Sequence, residues 1–306
     1  MQPETVVVLL ATVFCCVTEK ITIYYKESED FFLDGRRPQP FTRPEHVSDY
    51  YMYPAQVDNK VYLSMCPCPY VTNTERLAIH DLTTNNWDMS PWLLRPRRYH
   101  QSAAVDGVVY VFGGQDKRSK LPVMEVEALD VRNGATSWVY KRSILYDVQH
   151  AAVAVMDGKI YVCGGFSEEK DDTVKTCQIY DARRDEWTMG AEMATARERA
   201  AAAVLNDELW VCGGLVVTDR GYNAVDSCER HHERGSQWQA VSALMRTARY
   251  GHQLVAANGR LYALGGRDSR NRVSDSVEYY DSYYRYWTTE RYDMDDDRVY
   301  FGAVAV

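Results

Sequence analysis

Few residues in this chain stand at spacings that chemistry demands. His231-His232-Glu233 offers two imidazoles and a carboxylate. Neighbouring side chains on a strand point to opposite faces, and the HExxH spacing that sets two histidines on one helical face is missing. Cys66-x-Cys68 has no second Cys or His pair at zinc spacing. Asp293 to Asp297 (DMDDD) concentrates carboxylates that calcium could use, but such a run is first of all a solvated turn. Cys15 and Cys16 are neighbours and should face opposite sides of a strand. No Gly-rich phosphate loop, nucleophile elbow or separate carboxylate pair is present. The sequence therefore predicts no enzyme, no cofactor and no metal site.

Composition narrows the class. The chain has 306 residues, 46% hydrophobic and 25% charged, with 23 Tyr against 7 Trp and 7 Phe. Tyrosine favours strands and half-buried surfaces where its hydroxyl stays near water. A formal charge of −8 argues against nucleic acid. The apolar stretch Val6 to Val17 is too short to span a membrane, and the residues before it carry no Lys or Arg, unlike a secretory leader. Of the eight cysteines, Cys163 and Cys212 each precede a Gly-Gly, and equivalent positions on neighbouring repeats would be too far apart to bridge. All eight are expected as reduced thiols in a cytoplasmic protein.

The elements that position any site emerge when the chain is aligned with itself. Gly113-Gly114, Gly164-Gly165, Gly213-Gly214 and Gly265-Gly266 each follow an apolar run, at steps of 51, 49 and 52 residues. Trp87, Trp138, Trp187, Trp238 and Trp287 keep the same beat. A period near 50 residues marks a propeller array. Each unit reads as a small-residue strand, a turn such as Asp157-Gly158, an apolar strand ending in Gly-Gly, a loop, a third strand, a turn and the Trp. That is a four-stranded antiparallel meander, which needs neighbours on both faces. Tyr180 and Tyr280 stand seven residues before their Trp, as do His80 and His231, so these rings should fill the space between blades.

The register suggests a sixth unit. Tyr25 and Phe32 repeat the spacing of seven, which would make Ile21 to Tyr25 a third strand and Val6 to Leu10 a second strand. The segment 294–306 aligns with the leading strand at 193–204, so the C-terminus would supply the first strand of that unit. The expectation is an all-β, six-bladed propeller over 1–306, with blades near 1–40 plus 298–306, 41–92, 93–143, 144–192, 193–243 and 244–297.

The Gly-Gly after an apolar strand, the Tyr-x6-Trp spacing and the Arg-led strand resemble the Kelch family, strongly from Arg95 to Val306 and weakly before. The blade count and closing strand look like the Kelch domain of the BTB-BACK-Kelch proteins. That resemblance implies a domain that binds substrate proteins and presents them to cullin-RING ubiquitin ligases. Cullin itself would be reached only through a BTB portion, which this sequence does not show. A cytoskeletal (actin-associated) Kelch scaffold is the alternative, with a propeller enzyme behind it.

Loops at one end of the ring should form the binding bowl. Positions just before the leading strands are Tyr51, Tyr99, His150, Arg199, Gly251 and Tyr300. Positions just after the Gly-Gly are Gln115, Phe166, Leu215 and Arg267, and the loops add Lys117, Arg118, Glu168, Asp219, Arg220, Tyr222 and Arg270. In the resembled family such positions grip a short peptide of a protein partner. Tyr and Arg dominate protein-binding hot spots, and Arg clamps carboxylates with paired hydrogen bonds. An acidic or polar turn-forming peptide is the expected ligand, with no role for nucleic acid or membrane.

Overall fold

The structure is a computed structural model that describes residues 20–24, 28–32, 39–41, 53–64, 76–219, 221–232, 235, 237–291, 293–294 and 302–305, the first three segments as backbone only. Five four-stranded antiparallel blades follow one another. Blade I holds Tyr53–Val57, Lys60–Ser64, Ala78–Asp81 and Trp87–Met89. Blade II holds Gln101–Val105, Val108–Phe112, Val126–Asp130 and Val139–Lys141. Blade III holds Ala152–Met156, Lys159–Cys163, Cys177–Asp181 and Glu186–Met189. Blade IV holds Ala201–Leu205, Glu208–Cys212, Cys228–His232 and Gln239–Val241. Blade V holds Gln253–Ala257, Arg260–Leu264, Val277–Asp281 and Tyr286–Thr289.

Each second strand is an unbroken apolar run because neighbouring blades cover both of its faces; in KIYVC the last four residues are all buried. The first two strands turn through residues of positive φ, Asp157 and Gly158 at 52° and 71°, Asn258 and Gly259 at 48° and 71°. These angles match the right-handed twist of the strands they join. The expected aromatic packing is present. Tyr180 lies 4.9 Å from Trp187, His80 4.5 Å from Trp87 and His231 5.3 Å from Trp238. Three indoles also reach back one blade: Trp138 Nε1 donates to the Pro91 carbonyl at 3.0 Å, Trp187 Nε1 to that of Arg142 at 2.9 Å and Trp238 Nε1 to that of Ala191 at 3.0 Å.

The Gly-Gly turns knit blade to blade. The N–H of Gly114, Gly165 and Gly214 donates to the carbonyl of Val148, Arg197 and Arg249 in the next blade, at 2.9 to 3.0 Å. The preceding glycine sits under the same oxygen; a Cβ on Gly213 would lie 2.5 Å from the Arg249 oxygen. Beneath the turns of blades II, IV and V lies a buried ion pair. Arg97 meets Glu127 at 2.6 Å, Arg197 meets Glu229 at 2.8 Å and Arg249 meets Glu278 at 2.5 Å. Each arginine also donates to its own blade's first glycine carbonyl, Arg197 to Gly213 at 2.9 Å and Arg249 to Gly265 at 2.6 Å. Burial pushes these three guanidinium groups below their ordinary pKa, and the facing carboxylates push back.

The six-blade expectation needs correction. The repeat-type blades complete in the described residues number five. The remaining sheet, of backbone order Gln39–Phe41, Ser28–Phe32, Lys20–Tyr24 and Gly302–Ala305, is not the predicted blade. Lys20–Tyr24 stands beside Gly302–Ala305, with Ile21 opposite Ala305, where 6–10 was expected, and so is not a third strand. The predicted strand at 6–10 lies outside the described residues. The error has a physical source: this unit has neither Gly-Gly nor Trp, so two aromatics seven apart could not fix its register. Gly302–Ala305 lies between the inner strands of blades V and I, Ala303 buried with blade V and Val304 with blade I.

The cysteines also depart from expectation. Cys163 is bonded to Cys177 and Cys212 to Cys228, each Cα pair 4.1 Å apart. The sequence argument weighed only bridges between repeats. These bridges lie within one blade, joining directly opposite residues of the second and third strands.

Two outcomes are expected from this packing. Gly213→Ala forces a Cβ onto the neighbouring blade at φ +65°, whereas Gly158→Ala at φ +71° meets nothing within 4 Å. Both strain the backbone by about 1–3 kcal/mol, but thermal unfolding should show Gly213→Ala lower by several degrees more. Equal losses would mean that the close approach does not matter. Reduction of the two disulfides, which close separations of 14 and 16 residues, should cost on the order of 3 kcal/mol each. Denaturation with and without dithiothreitol, with thiols counted by mass, measures it.

Candidate functional site

The loops after the Gly-Gly turns fold back on the segments that lead into the inner strands. Gln115 pairs with Arg98, and single bridges join Phe166 to Gln149, Leu215 to Glu198 and Arg267 to Tyr250. The next residue in each blade is left-handed: Tyr99 at φ 58°, His150 at 54°, Arg199 at 54° and Gly251 at 62°. Their backbones link around the axis, Arg199 N–H to the His150 carbonyl and Gly251 N–H to the Arg199 carbonyl, both 2.9 Å. Three non-glycine residues held in a sparsely populated region mark stored strain, which gathers at functional sites. Beneath this ring the inner strands line a cavity of about 400 Å³, walled largely by alanine and valine.

The side chains form two clusters and an outlying fringe. Tyr99 packs 5.0 Å from His150, and the Arg98 guanidinium lies 4.9 Å from the Tyr99 ring. Arg98 donates to Gln115 at 2.7 Å, Gln115 donates to Glu168, and Gln149 donates to the same Glu168 oxygen at 2.6 Å. Asp147 closes this bridge between blades II and III by accepting from Ser167 Oγ at 2.6 Å and from the Glu168 N–H. In the second cluster Tyr250 donates to Asn271 at 2.7 Å and Arg267 to the Asn271 carbonyl at 2.8 Å. Arg199 lies 3.7 Å from Glu198, whose carboxyl burial pushes up.

Lys117, Arg118, Asp219, Tyr222 and Arg270 occupy loop tips, all exposed except the half-buried Lys117. Leu215 is instead a packing residue, buried with Ala224 and Tyr250. Tyr51, Arg220 and Tyr300 lie outside the described residues. Sequence reasoning missed Arg98, Asp147, Gln149, Glu198, Tyr250 and Asn271. One signal was at hand for the strained ring: Gly251 aligns with Tyr99, His150 and Arg199, and a glycine there announces positive φ.

The residues offer little for metal or acid-base chemistry. Among the described residues no group of three or more His, Cys, Asp or Glu could hold a metal ion. His231 is buried against Trp238, and His232 is exposed beside it. Burial, reinforced by the Arg199 charge, lowers the His150 pKa to about 3. Burial lowers His100 to about 3 and His252 well below its ordinary value.

These three histidines make stability depend on pH. The unfolded chain takes up their protons below about pH 6.5 and the folded chain does not, so stability falls as pH drops from about 6.5 toward 3. At pH 5 each should contribute up to about 2 kcal/mol of loss relative to pH 7. His252 is 3% exposed, and neither ring nitrogen has a hydrogen-bond partner among the described residues, so His252→Leu should fold. Urea denaturation at both pH values should show the variant's pH slope reduced by one proton. An unchanged slope would mean that His252 titrates normally.

Comparison with known proteins accords with this architecture. The model of the Kelch motif matches residues 96–135, 149–194 and 248–291. The chain is 30% identical over 132 residues, 42% of its length, to Kelch-like protein 36 from Bos taurus, and spans only 21% of that relative. It is 28% identical over 129 residues to Beta-scruin from Limulus polyphemus, covering 40% of this chain and 13% of that one. Alpha-scruin from the same organism is 23% identical over 292 residues, 90% of this chain and 31% of the relative. No helix among the described residues is long and apolar enough to cross a membrane. The chain carries Kelch repeats and forms a β-propeller that resembles the protein-interaction domains of the Kelch-like proteins.

Proposed function

We propose that this propeller is the substrate-recognition domain of a cullin-RING ubiquitin ligase adaptor, and that its loop face grips a short peptide segment of the substrate. The carrying observation is the strained ring that presents Tyr99, His150 and Arg199 around one mouth. Tyr and Arg there supply a rigid aromatic wall and a carboxylate clamp, the groups that dominate protein-binding hot spots. Because the matched region is a small part of the first relative's length, recruitment of a cullin belongs to whatever sequence accompanies the propeller. The cytoplasmic expectation rested on eight reduced cysteines, and the two bonds withdraw that support. The long match to Alpha-scruin favours a second reading, a scaffold whose partner is structural and is not marked for degradation.

Affinity capture with the wild type beside a Tyr99→Ala, Arg199→Ala double variant tests the face. Partners captured by the wild type should be lost by the variant. If every partner survives, binding lies elsewhere. The two readings separate on fate: an adaptor's partner gains ubiquitin when the propeller is fused behind a BTB-BACK portion, and a scaffold's partner does not.

A further inference from the structure

The loop that follows Gly213-Gly214 in blade IV differs from those of the other described blades. The loops of blades II, III and V are short and charged: Lys117, Arg118 and Lys120; Glu168, Glu169, Asp171 and Asp172; Arg267, Arg270 and Arg272. The blade IV loop is a longer hairpin, Leu215–Thr218 against Gly221–Ala224, where the blade III loop pairs only Phe166–Ser167 with Asp172–Thr173. It carries an opposed apolar pair, Val217 and Tyr222, each 54% exposed. Thr218 Oγ1 donates to the Gly221 carbonyl at 2.9 Å and accepts from Asn223 Nδ2 at 2.7 Å, which stiffens the tip.

The hairpin is a two-stranded sheet, and among the described residues no strand continues it beyond Gly221–Ala224. Thr218 is the register partner of Gly221 at the tip, where a tight hairpin closes on a hydrogen-bonded pair, so alternation makes Val217 and Tyr222 the non-bonded pair. The Tyr222 N–H and C=O then point outward along the open edge. Such an edge invites a third strand. The adjoining blade V loop touches the same strand, Ser269 Oγ donating to the Ala224 carbonyl at 3.3 Å. That loop bears Arg267, Arg270 and Arg272 against Asp268, which Arg272 engages at 2.6 Å, and Asp275 near its end.

We propose that an extended segment of the protein partner adds to the Gly221–Ala224 edge as a third strand, with an apolar side chain on the Val217–Tyr222 pair and acidic residues toward the blade V arginines. This deepens the loop-face reading and rests on it. The main chain would supply affinity, the apolar pair would choose the side chain, and the arginines would fix direction and favour acids.

Linear 12-residue peptides selected from a random phage-displayed library on the wild-type propeller provide the probe, and fluorescence anisotropy reads their affinity. Selected peptides should share an apolar residue followed by Asp or Glu. Val217→Ser and Tyr222→Ser, both at exposed positions and checked for an unchanged melting temperature, should each weaken binding at least tenfold. N-methylation of alternate peptide amides should do the same, while methylation of the amides between them should not. Peptides weakened by Tyr99→Ala or Arg199→Ala but indifferent to Val217→Ser and Tyr222→Ser overturn the hairpin inference and leave the loop-face reading standing. Sensitivity to the two serine variants without sensitivity to N-methylation overturns strand addition. If the library yields no specific binder, both readings fall together.

Discussion

A buried arginine paired with a buried glutamate organises each repeat that carries both residues. In blade IV the Glu229 carboxylate takes Arg197 at 2.8 Å and the backbone N–H groups of Ala194 and Thr195 at 2.6 and 3.1 Å. Arg197 Nη1 donates to the carbonyls of Gly213 and Ser227. One pair therefore ties the incoming loop, the inner strand, the Gly-Gly turn and the third strand together. Removing either partner would strand a charge where water cannot reach it, at a cost of about 3–5 kcal/mol. Blade III makes the opposite choice. Val148 stands at the arginine place and Gln178 at the glutamate place, and Gln178 alone bridges Leu145 N–H and the Tyr146 carbonyl. Both charges leave together, as desolvation requires.

This interior arrangement shapes the loop face. The glutamate fixes the backbone three residues before the buried arginine, and the arginine fixes the turn that the next loop leaves from. Beyond the arginine the chain returns to the inner strand through one left-handed residue, Tyr99 in blade II and Arg199 in blade IV, and in blade III, where Gln178 holds the incoming loop instead, His150 takes the same angle. The surface groups hold one another in a second tier, through Glu168 between blades II and III and Asn271 within blade V. The blade IV hairpin meets the blade V group through Tyr250 and Ser269 at its base, and its apolar pair faces solvent.

Much of this was legible in the sequence wherever physics leaves a repeated mark. Gly-Gly recurs because two backbones meet at the turn, and Trp recurs because one indole must fill each gap. These marks gave the period, the meander and the positions that ring the mouth. Where the marks were missing the reading failed. The N-terminal unit has no Gly-Gly or Trp, and its register was misplaced. The disulfides were visible as Cys163 and Cys177, then Cys212 and Cys228, each pair running from the end of a second strand to the start of a third. Attention to the distance between repeats hid the shorter distance within one. Leu215 looked like a site residue by position alone, whereas its neighbours Ala224 and Tyr250 bury it. The bridge through Glu168 depends on two loops meeting, which linear spacing does not encode.

The central claim is that the buried arginine and glutamate act as one unit. The most direct measurement is a double-mutant cycle in blade IV that copies the blade III solution, Arg197→Val and Glu229→Gln, singly and together, by urea denaturation. The expected result is that the double variant is more stable than the sum of the singles implies, by at least about 2 kcal/mol. Additive losses would contradict the account, because they would mean that each residue contributes independently of the other.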